Sequence, residues 1–272
     1  MRWLAMADGV ELFRNGQLTE ALVAQTDWVR SNPTDHPARL FLFELLAFSG
    51  EVDRAGKQIA ALSLEDPELI LAAKNYHDCL ESERTRRLVL SGGKPVWFPD
   101  MVPGPSASLR LEACEAHASG DMDGFVAKLA AANECLPDVH GTLNGKSFTG
   151  LRDADDLFAG VLEVFAKGNY YWVPFDQIAS LAMNAPRFPR DLLWIPANLT
   201  LVDGATGPVF LPGLYLGSQA HGLETVRLGR ERDWMPLGAE PTGLLRGYGP
   251  KVFLAGDDEM NLADFRELTI DS

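Results

Sequence analysis

The densest run of carboxylates in the chain is Asp153-Ala154-Asp155-Asp156. Adjacent carboxylates can share a hard divalent cation, so a Mg²⁺ or nucleotide-sugar site is the chemistry this run would suit. The plainer role competes with it and is favoured: one aspartate caps a helix expected over 155–167, and the others favour the positive end of its dipole. Gly256-Asp257-Asp258-Glu259 reads as a solvated turn, without the alternating ligand spacing of a calcium loop. The histidines His36, His77, His117, His140 and His221 are dispersed, with no His-Glu-x-x-His and no His/Cys grouping. Ser91-Gly92-Gly93-Lys94 resembles a phosphate loop only in its last residues, since Pro95 stands where Ser or Thr is needed. Neither a Gly-x-Ser-x-Gly elbow nor a Gly-x-Gly-x-x-Gly fingerprint occurs. The reading is a non-enzyme, with no catalytic residue, metal ligand or cofactor assigned.

The charge balance narrows the partners. The 272 residues carry 24 Lys+Arg against 38 Asp+Glu, a formal net charge of −14. Both halves are acidic: residues 1–138 hold 13 basic and 21 acidic side chains, and residues 139–272 hold 11 and 17. Such a field repels nucleic-acid phosphates and anionic lipid heads. The apolar stretch Ala38–Phe48 is broken by Arg39 and Glu44 and falls short of the ~20 residues that span a bilayer. The amino terminus lacks the pattern of a signal peptide. Cys79, Cys114 and Cys135 are too scattered for a disulfide framework and form no Cys-x-x-Cys, so they read as free thiols. A cytoplasmic protein is expected.

The elements that must position any site fall into two parts. Asn15-Gly16-Gln17-Leu18-Thr19-Glu20-Ala21 aligns with Ser49-Gly50-Glu51-Val52-Asp53-Arg54-Ala55 at an offset of 34 residues, which also relates Leu12 to Leu46 and Pro33 to Pro67. That is the tetratricopeptide period. A glycine ends the first helix, a small alanine lets the second approach closely, and a proline stops the pair. Copies are placed at about 3–34 and 37–68, with a diverged third at about 107–138 around Ser119-Gly120-Asp121. An extra helix is expected near 67–90, then an irregular connector, 91–108, that packs down through Trp97, Phe98, Met101 and Val102. Stacked pairs leave a concave face, here Trp3, Met6, Val10, Phe13 and Arg14 from copy one and Leu40, Glu44, Ala47 and Phe48 from copy two. Such a surface accepts an amphipathic helix, unless another part of the chain fills it.

After Pro137 the periodicity changes. Asn144-Gly145 marks a hairpin, apolar spacing predicts a helix over 155–167, and Phe175–Met183 reads as a short helix. The Asp203-Gly204 turn joins 191–202 to 207–216, and further strands are expected at 233–237, 252–255 and 265–270. The whole reads as α+β: helical repeats over 1–138, then a small, mostly antiparallel α+β or barrel-like domain over 139–272.

Gly168-Asn-Tyr-Tyr171-Trp172-Val173-Pro174-Phe175, followed by Arg190-Asp191-Leu192-Leu193-Trp194-Ile195-Pro196-Ala197, resembles the ImpE/SciE family, also called TagJ. Pro212, Tyr215, Leu228-Gly229-Arg230 and Trp234 extend the match, while Leu214 stands where the family pattern has an arginine. The resemblance implies a non-enzymatic adaptor of a bacterial type VI secretion system. It would bind the amino-terminal helix of the small sheath subunit TssB and be linked through the sheath to the ClpV ATPase. Tyr171, Trp172, Pro174, Arg190, Trp194, Pro196, Tyr215, Arg230 and Trp234 carry the motif and are expected to act structurally. The alternative from another class is a small catalytic or ligand-binding second domain, centred on Asp153–Asp156, carried on a helical scaffold.

Overall fold

The computed structural model describes residues 2–62, 66–238 and 242–271, with residues 2–7 as backbone alone. Three helical hairpins form from α1 (Arg2–Arg14) with α2 (Leu18–Ser31), α3 (His36–Phe48) with α4 (Val52–Ala60), and α6 (Pro105–Ala118) with α7 (Met122–Glu134). Each turn rests on a glycine in the left-handed region: Gly16, Gly50 and Gly120 have φ of 85°, 77° and 82°. A side chain there would be strained, which is why the same residue recurs. Helix α3 is capped by Asp35, whose carboxylate accepts from the Ala38 amide at 3.0 Å. Its last two turns are buried on all sides, from Leu42 to Phe48. A surface helix would bury one stripe, so α3 has neighbours on both flanks.

Between the second and third hairpins, α5 (Pro67–Arg87) runs as expected. The connector after it packs down: Val96 bridges to the strand holding Tyr171, and the Phe98 ring stacks on Tyr171 at 4.3 Å. Trp97 and Met101 are half-buried, but Val102 is 78% exposed and takes no part in that packing.

The second half is built on an antiparallel eight-stranded sheet. Its strands are β1 (His140–Leu143), β2 (Lys146–Thr149), β4 (Val161–Ala166), β5 (Asn169–Pro174), β6 (Ile178–Met183), β7 (Trp194–Leu201), β8 (Thr206–Pro212) and β13 (Glu267–Ile270), in the order β2-β1-β13-β6-β7-β8-β4-β5. A three-stranded sheet joins β3 (Leu151–Asp153), β11 (Val252–Ala255) and β12 (Asp258–Asn261). A hairpin pairs β9 (Asp233–Pro236) with β10 (Leu245–Tyr248), and α8 (Glu224–Arg227) is a single turn. The Asn144-Gly145 and Asp203-Gly204 hairpins stand where the sequence placed them.

Two expected helices are strands. Over 155–167 the chain makes turns and then β4, because β4 is covered on both faces. Val161 and Phe165 join the core shared with the helices, and Leu162 and Val164 join the core of the sheet. A short apolar run buried on both sides carries no alternation and mimics a helical pattern. Phe175–Met183 is one 3-10 turn, Phe175–Gln177, leading into β6. With no helix after it, the Asp153–Asp156 run caps nothing, and its carboxylates have other partners.

Candidate functional site: a sealed charge lattice, a filled groove and an open cleft

Helix α5 lies on β4 and β5, and the face of β4 that meets it carries one charged residue between Val161 and Phe165. That residue, Glu163, is fully buried and faces Arg86 of α5: Nε donates to Oε1 at 2.7 Å and Nη2 to Oε2 at 3.0 Å. Tyr170 donates to Oε1, and the Trp172 indole donates to Tyr170 Oη. Lys251 Nζ lies 2.9 Å from Glu163 Oε2 and donates to Asp153 Oδ2 at 2.8 Å. Asp153 Oδ1 accepts from Tyr215 Oη at 2.9 Å. Asp155 takes Arg246 Nε at 2.9 Å and the amides of Leu157 and Gly247. Asp156 accepts from Arg152, Asn133 and the Leu245 amide, each at 2.6 Å.

Burial penalises every charge in this lattice, and the partners decide which way each group goes. Burial alone would raise the Glu163 carboxyl, yet Arg86 and Lys251 outweigh it and hold the group at about 2. For Asp153 burial wins over Lys251 and the pKa is raised. Arg110 of α6, which donates to the Asp156 carbonyl and to Asn133 Oδ1, is driven down to about 10 by burial, and the Arg152 charge adds to that. Every carboxylate of the 153–156 run is thus committed to cations and amides of its own chain. Among the described residues, no group of three or more His, Cys, Asp and Glu side chains could hold a metal ion. The alternative of a ligand site at Asp153–Asp156 therefore lacks free carboxylates to build on.

The concave repeat face is filled by the chain itself. Phe48 is 1% exposed, and it clusters with Leu18, Ala21 and Leu45 under Leu214 and Leu228. Glu44 is buried against Arg190, which also donates to Tyr76 Oη at 2.8 Å and lies over the Phe188 ring at 4.0 Å. Phe13 is half-buried, its ring 5.7 Å from Phe41 and 5.8 Å from Phe48. Arg230 caps α1 by donating to the carbonyls of Phe13 and Arg14. Val10 and Leu40 are half-buried and the Arg14 side chain is exposed. Trp3 and Met6 lie outside the residues whose side chains are described. Of the two alternatives the sequence leaves, the chain fills the groove itself at Glu44, Ala47 and Phe48, where the turn Pro189–Leu192 and the loops at 214 and 228–230 fold back over it.

Of the family-motif residues, Arg190, Trp194 and Arg230 contact the helical half. Trp172 and Tyr215 are buried in or beside the lattice, and Trp194 packs on Phe43 and Tyr76 at 6.0 and 6.5 Å. Trp234 lies half-buried 5.6 Å from Tyr215, and Pro174 closes β5. Pro196 sits in β7 opposite Phe210, and Tyr171 faces a cleft. Leu214, in place of an arginine, joins the apolar cluster with Phe48 while its carbonyl accepts from Arg86 at 2.8 Å. Sequence reading missed Arg86, Glu163, Arg246 and Lys251; the one signal was a glutamate inside the apolar run Val161–Ala166, where a solvated charge has no place.

The remaining feature is that cleft, about 570 Å³, between α5 and the seam where β4 and β8 part. Its apolar lining includes Phe98, Tyr171 and Phe210, with Phe165 and Val209 buried behind them, and the exposed Lys74 and Lys167 stand at its rim with Asp78.

Helical hairpins and an antiparallel sheet joined by buried charge, with the repeat groove covered and a cleft beside α5, define the architecture of the described residues. The ImpE protein family model matches residues 145–269. The chain is also 34% identical, over 95% of its length and 89% of the other's, to the type VI secretion system accessory component TagJ of Pseudomonas aeruginosa. This chain belongs to the ImpE (TagJ) family. Its fold matches the crystal structure of protein VPA1032 from Vibrio parahaemolyticus, with a TM-score of 0.86, 23% identity, and 97% and 98% of the two chains covered.

Proposed function

We propose that this chain is a non-enzymatic accessory component of a bacterial type VI secretion system, acting in the cytoplasm. It binds the amphipathic amino-terminal helix of the small sheath subunit TssB and links the sheath to turnover by ClpV. The observation that carries the reading is the near full-length similarity to TagJ, which extends through both the helical hairpins and the sheet. Two features of the chain favour a binding role. The buried carboxylates Asp153, Asp155, Asp156 and Glu163 are engaged by cations of the chain itself, and an exposed, partly apolar cleft lies beside α5. We place the division of labour at about residue 138: hairpins before it, the sheet after it, and the partner held by surfaces that the lattice keeps in register. On the repeat face Val10, Phe13 and Leu40 stay half-buried while Glu44 and Phe48 are covered, so that face offers an edge contact for the partner and no groove for its helix.

The test is co-elution on size exclusion of this protein with the cognate sheath heterodimer, with and without the first helix of its small subunit. Complex formation only when that helix is present supports the reading. Equal elution of both mixtures as separate species contradicts it.

A further inference from the structure

The repeat groove being filled, the geometry points to the cleft between α5 and the β4/β8 seam as the seat of an amphipathic helix with an acidic flank. This assignment rests on the helix-binding function proposed above and adds where the helix lies and what charge it carries.

The seam exists because β8 pairs with β7 along Thr206–Pro212, but with β4 only at Phe210 opposite Phe165. Residues 206–209 are therefore a free edge. Pro208 lies in it, and a proline is tolerated within a sheet when its missing N–H faces outward. An added strand would lack a donor there, so the edge is guarded against β-augmentation. A helix needs no edge donors. One wall of the cleft is itself helical: Lys74, Asn75, Asp78 and Ser82 lie on one face of α5, continued outward by Leu71, which is 59% exposed. From 71 to 82 this face runs about 16 Å, roughly three turns. Ala166, Gly168, Ala205 and Gly207 line the cleft with little bulk, so a backbone can approach closely, and the half-buried Phe98, Tyr171 and Phe210 offer apolar surface to the anchors of a helix.

The charge of the occupant follows from the mouth. Lys74 is paired with Asp78 at 2.5 Å. Lys167 also lines the cleft and makes no ion pair among the described residues, in a chain of net charge −14. It is held, moreover, in the left-handed region at φ 50°, in the two-residue turn between β4 and β5. Asn, Asp or Gly is the residue such a turn prefers. An exposed lysine at the cleft rim, beside a Lys74–Asp78 pair that neutralises itself, leaves the mouth with one uncompensated positive charge, which a carboxylate on the docking helix would complement.

The experiment titrates the full-length protein and its variants with a synthetic peptide of the cognate sheath subunit's first helix. Ala205→Trp fills the cleft from an exposed loop and is expected to weaken binding at least tenfold. Lys167→Asn gives the turn its preferred residue while removing the charge. It is expected to keep or raise Tm yet weaken binding about threefold at low salt, with the difference vanishing at high salt. Val23→Asp on the exposed face of α2 is expected to bind normally. Unchanged affinity in both cleft variants overturns the assignment while leaving the function intact. Absence of binding by the unmodified protein overturns the function itself.

Discussion

Arg86 and Glu163, seventy-seven residues apart, meet in a two-point pair whose side chains are both almost wholly shielded from water. Helix and strand could be held at this angle by apolar contact alone. The pair adds direction, because a guanidinium and a carboxylate match in one orientation. Tyr170, Trp172, Lys251, Asp153 and Tyr215 extend that fixed geometry from α5 to β11.

Removing one member strands the others. Glu163→Gln leaves Arg86 and Lys251 short of a counter-charge, and its cost is expected at about 3–5 kcal/mol. Joint replacement of Arg86 and Glu163 by apolar residues of similar volume, which leaves Lys251 with Asp153, is expected to recover most of that loss. Urea unfolding of the two variants beside the parent measures both effects, and a small loss in Glu163→Gln would show the lattice to be solvated.

The lattice also sets the acid limb of stability. Glu163 is depressed from its ordinary 4.5 to about 2, so its contribution is full above about 4.5 and is lost as pH falls toward 2. Glu44 and Asp153 run the other way. Burial raises both despite their cations, so they take up protons earlier when folded and offset part of the loss. The expected outcome is a fall in Tm below pH 4.5 in the parent that is flattened in Glu163→Gln. An unchanged slope would remove Glu163 as its source.

Arg190 is the clamp on the repeat face. Arg190→Ala leaves Glu44 buried without a cation, and Glu44→Gln removes the charge that needs one. The double variant is expected to be more stable than the sum of the singles, with a coupling of about 1–3 kcal/mol. Chemical denaturation of the four proteins yields that number, and simple additivity would mean that the pair is not formed in solution.

The carboxylates of Asp153, Asp155 and Asp156 are engaged by Lys251, Arg246 and Arg152. Millimolar Mg²⁺ or Ca²⁺ is accordingly expected to leave Tm unchanged. A rise that Asp155→Asn abolishes would restore a cation site to this run.

The helical half was legible because its signals are local. Gly16 and Gly50 repeat at a fixed offset, and each ends a helix in a conformation that other residues avoid. The β hairpins were legible at Asn144-Gly145 and Asp203-Gly204 for the same reason. β4 was not, because Val161–Ala166 is buried on both faces and its spacing satisfies a helix as well as a strand. The lattice was hidden more deeply. Arg86, Glu163 and Lys251 are far apart in sequence, and each looks like an ordinary surface charge until the fold brings them together. The repeat pattern predicts a groove at Phe48 and Glu44 because it fixes which side they face. It does not fix that Leu214, Leu228 and Arg190 cover that side.

The central claim is that this scaffold holds an amphipathic helix of the sheath. Calorimetric titration of the full-length protein with the amino-terminal peptide of the cognate small sheath subunit, beside a scrambled peptide, tests it most directly. Saturable binding of the native peptide alone, micromolar or tighter and with a negative heat-capacity change from buried apolar surface, is the expected result. No heat at any temperature, together with no competition at high peptide concentration, would contradict it.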